Sequence, residues 1–415
     1  MKMKNKKLVG TVAALSIGAS LLAGCSTGGS KDDGKTHIEF FSTKVENSNT
    51  YKELIKDFEK KNPKISVDLT SPPDAGTVIK TRLTKNDLPD IIASGDDTTF
   101  TNLADSGELR DLSNKSYKDN IQPAFIDMVK KDYKKSSALY GIPYATNGNG
   151  VIYNKDKFEK LGIKETPKTW DEFIADLDKA KAAGEIPIYF TLKDAWTGMV
   201  ALNSVAAPVG ADQFAKDKTD GKTTFKKSYT EVADKLLTLE KYGHKDNLGV
   251  AYGDGNTAFA QGKGVFYLQG NWAIPEILKA NPDAKLGVFP FPATNDVKQN
   301  KLVSGIDVLF SETKATKHQK EADKFIEFLA SQDSAQTYTK EQKSFSAING
   351  VTQDDPTLAG YKDSFANGNI AGYADHFFPA SLNAPNIVQD FFIKKNKDAF
   401  LTKMDKEWDK VANRK

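Results

Sequence analysis

Cysteine, histidine and arginine are all scarce in this chain of 415 residues. Cys25 is the single cysteine, so no internal disulfide can form and the fold must hold through its core alone. His37, His244, His318 and His376 are scattered without metal-ligand spacing, so no metal or other cofactor is expected. A Walker-type phosphate loop is missing. Gly262-Lys-Gly264 lacks the required spacing and reads as a turn, which leaves the chain no nucleotide-hydrolysing machinery. No nucleophile elbow points to a serine-type triad. Arginine occurs at Arg82, Arg110 and Arg414 only, and the formal net charge of +3 falls to −1 without the four lysines of residues 1–24. Nothing net basic then remains to attract nucleic acid or an anionic membrane surface. There is no internal repeat.

What is present begins with a leader. Lys2, Lys4, Lys6 and Lys7 precede a short apolar run diluted by Thr11, Ser16, Gly18 and Ser20, a poor transmembrane span but a good signal segment. It ends in Leu22-Ala23-Gly24-Cys25, which resembles the lipobox of bacterial lipoproteins. The resemblance implies removal of residues 1–24 and lipid on Cys25. Residues 25–35 read as the lipidated cysteine and a flexible tether without apolar side chains. The remaining length suits two domains.

Past the tether, His37 to Phe41 reads as a buried strand, and Thr50 with Glu53 offers a capping box for a helix through Tyr51, Leu54, Ile55 and Phe58. Ile65, Val67 and Leu69 alternate as a strand, residues 75–84 form a helix, and residues 88–94 form the next strand. This alternation is an α/β layer with a mostly parallel sheet, whose ligands bind beyond the carboxyl ends of the strands. The glycine-rich kink at Ala145 to Gly150 reads as a turn or hinge between strands. Thr169 with Glu172 forms a second capping box, and Trp170 reads as packing. Trp196 falls on a loop, and Trp272 at the end of a strand. Residues 303–310 read as one strand with Asp307 inside it, a carboxylate that needs partners if buried.

Gly372-Tyr373-Ala374-Asp375-His376-Phe377-Phe378-Pro379 crowds aromatic rings around a carboxylate. Such a mixture suits a sugar, whose edges carry hydroxyls for a carboxylate or imidazole and whose faces lie flat on rings. A loop that merely plugs the core with its aromatics is the plainer alternative.

The order of motifs resembles the substrate-binding proteins of bacterial ABC sugar importers, the family that includes the maltodextrin-binding protein. The resemblance runs through Leu88-Pro-Asp-Ile-Ile, Tyr140-Gly-Ile-Pro-Tyr, Val151-Ile-Tyr-Asn-Lys-Asp156, Pro167-Lys-Thr-Trp-Asp-Glu172, and Ala258-Phe-Ala-Gln-Gly-Lys-Gly264 with Gly270-Asn-Trp272. It implies an α/β, two-lobed, periplasmic-binding-protein-like fold, with the ligand cleft between lobes joined by hinge crossings. Lobe one would comprise residues 36–146 and 288–329, and lobe two residues 147–287 and 330–415.

By the same resemblance, Lys44 stands where the maltodextrin protein has a ligand-binding lysine. Asp97 matches a carboxylate that binds sugar hydroxyls, and Asn147 matches a hinge glutamate whose charge is lost here. Trp196 and Trp272 match stacking positions, while a further stacking tryptophan is replaced by Ser94, which argues against a long flat maltodextrin. Asp307 together with Tyr373, Asp375 and His376 looks like the branch that takes α-1,6-linked sugars of the raffinose or isomalto-oligosaccharide type.

The function so implied is capture of an oligosaccharide by lobe closure and delivery to a membrane permease powered by a separate ATPase subunit. The protein would be a monomer and not an enzyme, lipid-anchored on the outer face of a Gram-positive cell membrane. An exported glycoside hydrolase is the rival, since it too needs paired carboxylates and aromatic platforms, which Asp97, Asp307 and Asp375 could supply.

Overall fold

A computed structural model describes residues 33–133, 137–379 and 382–412. The leader, Cys25 and most of the tether lie outside the described residues. Contacts part the chain at Lys35, and the fold described below is the compact unit that begins at Thr36.

Two mixed sheets make up that unit. The first holds β1 (Thr36–Ser42), β2 (Ile65–Thr70), β3 (Ile91–Ser94) and β4 (Ile142–Thr146). The second holds β5 (Asn149–Asn154), β6 (Ile188–Tyr189), β7 (Phe266–Gly270), β8 (Leu286–Phe289) and β9 (Leu302–Val303). The chain then returns to the first sheet with β10 (Ile306–Glu312) and β11 (Phe345–Ser346), and closes the second with β12 (Ile370–Ala371). Strand order is β11-β4-β10-β3-β1-β2 in one sheet and β12-β9-β5-β7-β6 in the other, with β8 also paired to β5. β1 is parallel to β2 and β3, so the loops after Ser42 and Ser94 share one end of the sheet.

Helices cover the sheets because their apolar residues recur every three or four positions. Tyr51, Leu54, Ile55 and Phe58 form the buried face of helix Ser48–Lys61. Tyr51 meets Phe40 edge-on at 4.9 Å, and Phe58 meets Phe325 of helix Gln319–Leu329 at 5.0 Å. Each such ring contributes roughly 1.5–3 kcal/mol through burial. The second sheet has its own core, where Phe173, Phe266 and Phe289 pack with Trp408 of the final helix. Thr169 and Glu172 form the capping box at Trp170–Ala182. The box at Thr50 does not form. That helix starts earlier, at Ser48, and the Thr50 hydroxyl instead donates to Glu341 Oε2 at 2.6 Å.

The lobe boundaries differ from those the sequence suggests. β8 and β9 hydrogen-bond to β5, which places residues 288–303 with the second sheet. The apparent strand at 303–310 is cut at Ser304 and Gly305, so β9 and β10 belong to different sheets. Ala330, Ala335, Tyr338, Ile348 and Val351 pack in the first core, and the next core residues, Leu358 and Tyr361, pack in a further cluster on the second sheet with Ile152, Tyr267 and Val288. The last crossing therefore follows Val351 rather than Leu329. Gly148 and Gly150 are needed for close approach rather than for a left-handed backbone. A Cβ on Gly148 would lie 2.7 Å from the Tyr361 ring, and one on Gly150 would lie 2.6 Å from the Phe289 carbonyl oxygen.

Candidate functional site

Between the two sheets lies a cleft of about 1100 Å³, walled by both lobes. The first lobe supplies Lys44 and Glu46 from the loop after β1, Asp97 from the loop after β3, and Asp307 from the start of β10. The second lobe supplies Trp196, Met199 and Asn203 from helix Ala195–Ala206, Tyr252 and Asn256 from helix Tyr252–Ala260, and Trp272 beyond β7. Tyr373, Asp375 and His376 close one side, and Asn147 lies in the first crossing. Every ligand-binding candidate named from the sequence thus faces one cavity.

A hydrogen-bonded chain links the lobes through the crossing. Lys44 Nζ lies 2.6 Å from Asp307 Oδ1, and Asn147 Nδ2 donates to that same oxygen at 2.7 Å. Tyr373 OH then donates to Asn147 Oδ1 at 2.7 Å. Burial opposes the charge on Lys44, but the carboxylates of Asp307 and Glu46 outweigh it and hold its pKa above the usual lysine value. Glu46 moves the other way from an ordinary surface acid: burial raises its pKa, with Lys44 only partly offsetting.

A common pattern runs through the three aspartates. Asp97 caps helix Thr98–Asp105, and its Oδ1 accepts from the backbone of Thr99 at 2.7 Å and of Phe100 at 3.3 Å. Asp375 Oδ1 accepts from Asn203 Nδ2 at 2.9 Å. Asp307 Oδ1 takes Lys44 and Asn147. Each carboxylate is therefore held by one oxygen, and among the described residues no donor is directed at the other. Three fixed carboxylates with a spare acceptor each can receive hydroxyl protons in a defined orientation.

Aromatic faces complete the walls. Trp272 lies over Gly270, where a Cβ would come within 2.0 Å of the indole, and its Nε1 donates to Gln269 Oε1 at 3.3 Å. Trp196 is 41% exposed, and its ring and that of Tyr252 meet in a T-shaped arrangement, 4.9 Å between centroids. It sits in the first turn of a helix, not on the loop that the sequence suggests. The His376 and Tyr373 rings stack at 4.9 Å, His376 within a short 3-10 turn, Ala374–Phe377, and Tyr373 just before it. Phe378 alone of this aromatic run is buried in the second core.

The sequence reading passed over Asn203, Tyr252 and Asn256. Asn203 accepts from the backbone of Ala374 at 3.0 Å while its amide holds Asp375, so it positions the aromatic turn. A single Asn within the apolar helix Ala-Trp-Thr-Gly-Met-Val-Ala-Leu-Asn-Ser-Val-Ala was the available signal. Among the described residues no cluster of side chains is suited to hold a metal ion.

Comparison with known proteins agrees with this architecture. Residues 42–336 match the family model for the bacterial extracellular solute-binding protein. The multiple sugar-binding protein of Streptococcus mutans is 33% identical, covering 92% of this chain and 94% of its own length. The melibiose/raffinose/stachyose-binding protein MelE of Bacillus subtilis is 27% identical over 83% of this chain and 82% of its own. Among solved structures, the binding protein RafE in complex with raffinose superposes with a TM-score of 0.81 at 27% identity, covering 91% of this chain and all of that one. The apo-form of RafE from Streptococcus pneumoniae gives 0.68 at 26% identity, with 91% and 98% covered. These relatives are binding proteins rather than enzymes. With most of its length matched by the family model and a third of its residues shared with a full-length relative, the chain belongs to the bacterial extracellular solute-binding protein family.

Proposed function

We propose that this protein is the sugar receptor of an ABC importer. It captures an α-1,6-linked oligosaccharide of the raffinose or isomalto-oligosaccharide type in the cleft and delivers it to a membrane permease driven by a separate ATPase. The observation that carries this reading is the set of Asp97, Asp307 and Asp375, each with a spare acceptor oxygen, beside the faces of Trp196 and Trp272 in one cleft. Carboxylates suit the sugar hydroxyls and the rings suit the C–H faces. Lys44, Asn147, Tyr373 and His376 orient these groups or add donors.

Capture involves closure of one lobe on the other. The higher TM-score with RafE in complex with raffinose, 0.81 against 0.68 for the apo-form, supports a conformation in which this chain is already near its liganded arrangement. The short crossings at Asn147 and at Ser304 are the pivots of that motion. Lipid on Cys25 holds the protein, a monomer, at the outer face of the membrane, as expected from the leader sequence.

Calorimetric titration with raffinose, isomaltotriose, maltotriose and sucrose, with the sugar recovered afterwards, tests the reading. Micromolar binding of an α-1,6-linked sugar returned intact is the expected result. A cleaved sugar would make the protein a hydrolase, and preference for maltotriose would overturn the linkage assignment.

A further inference from the structure

The wall of the cleft contains a second polar centre that the aspartates do not use. Tyr252 OH and Asn256 Nδ2 are shielded from solvent and interact only with each other, without the alignment of a full hydrogen bond. Asn256 is only 2% exposed, and its Oδ1 accepts from Tyr267 OH at 2.9 Å. Whichever way round the amide lies, Tyr267 satisfies one end and the other has only the poorly aligned Tyr252 hydroxyl. Buried polar groups are normally fully paired, so a hydroxyl and an amide that satisfy each other only weakly in a cavity wall have capacity left for a ligand. Burial holds the Tyr252 phenol well above its usual pKa, so it remains a neutral donor at physiological pH.

The spacing of this centre from Asp375 follows from one helix. Trp196, which packs against Tyr252, and Asn203, which holds Asp375, both line the cleft from helix Ala195–Ala206. Seven residues separate them, about 10 Å along the axis at 1.5 Å per residue. That is longer than one sugar ring. The cleft volume of about 1100 Å³ is likewise at the upper limit of pockets for single small ligands.

We propose that Tyr252 and Asn256 are specificity-determining residues that receive a sugar unit beyond those held near Asp375, so that the protein selects trisaccharides and longer over disaccharides. The inference rests on the sugar-receptor reading above and adds the minimum chain length and the groups that measure it. Tyr252 donates its phenol proton and Asn256 its amide to hydroxyl or ring oxygens of the outer unit, while Trp196 covers that unit's face.

The test is calorimetric titration of the full chain and three variants with melibiose and raffinose, which share two sugar units and differ by a third. Wild type is expected to prefer raffinose by about tenfold, the worth of one or two satisfied hydrogen bonds. Tyr252→Phe keeps the ring against Trp196 and removes only the hydroxyl. It should lower the raffinose-to-melibiose affinity ratio by about fivefold, and Asn256→Leu should do the same. Asp375→Asn, at the other end, should weaken both sugars and leave the ratio within about twofold. A ratio unchanged in both Tyr252→Phe and Asn256→Leu would overturn the inference, as would a wild type that binds the two sugars equally. Wild type that binds neither sugar would defeat the sugar-receptor reading itself, a distinguishable failure.

Discussion

Replacing Asp307 by Asn separates what this carboxylate does for the fold from what it does for a ligand. The substitution keeps the shape and leaves one oxygen to accept from Lys44 and Asn147, which now sit at 2.6 and 2.7 Å. It removes the charge and turns the spare oxygen into an N–H₂ donor. Hydrogen bonds to charged groups contribute about 1.5–3 kcal/mol and neutral ones about 0.5–1.5, so stability should fall by roughly 1–2 kcal/mol. The Lys44 side chain is 22% exposed, which lets water screen part of the loss and favours the lower figure. Binding should suffer more. A sugar hydroxyl that loses a charged acceptor forfeits about 1.5–3 kcal/mol, or roughly 10- to 150-fold in Kd. Thermal unfolding and titration with raffinose give the two numbers. A double-mutant cycle with Lys44→Met adds the coupling, expected at about 1 kcal/mol because both side chains share one contact. Additive effects together with wild-type sugar affinity in Asp307→Asn would refute the role assigned to the pair.

Other consequences follow from the same geometry. Trp272→Ala should weaken sugar binding by about tenfold, the value of a lost stacking face. Its partly exposed position at the cleft wall predicts a melting temperature close to wild type, read from a thermal scan. Asn203→Ala leaves Asp375 and the backbone N–H of Ala374 without their partner, so it should cost about 1–3 kcal/mol in denaturant unfolding and also loosen the sugar site. Glu312 concerns stability alone. It is fully buried at the far end of β10, where burial first and the neighbouring Asp323 next push its pKa up to about 7, against the partial relief of Arg110. Arg110 Nε lies 3.2 Å away without the alignment of a hydrogen bond. With a folded pKa above the unfolded one near 4.5, the stability linked to this proton is present below pH 4.5 and lost as pH rises through about 7. The loss is at most about 3 kcal/mol. Glu312→Gln should flatten the stability profile between these limits, and an unchanged profile would show that the carboxyl stays ionised.

Much of the fold could be read from periodicity, since helices such as Ala75–Thr84 and strands such as β2 bury a regular face. Chain crossings were harder. Val303 and Ile306 look continuous in sequence, yet the two residues between them carry the chain from one sheet to the other, and no local propensity marks the change. Thr50 shows the same limit: its cap pattern is good, but the tertiary contact with Glu341 takes the hydroxyl. In the site, charged and aromatic residues stood out, and the structure brings them to one cleft. Asn203, Tyr252 and Asn256 did not, because a polar side chain inside a helix gains its meaning from what packs above it.

The central claim is that a sugar lies in the cleft against the faces of Trp196 and Trp272. Titration with raffinose followed by intrinsic tryptophan fluorescence tests it directly, because the other two indoles, Trp170 and Trp408, pack with the second core. The account predicts a saturable change in wild type that disappears when Trp196 and Trp272 are both replaced by Phe. A saturable response that persists in that double variant, or none in wild type, would contradict it.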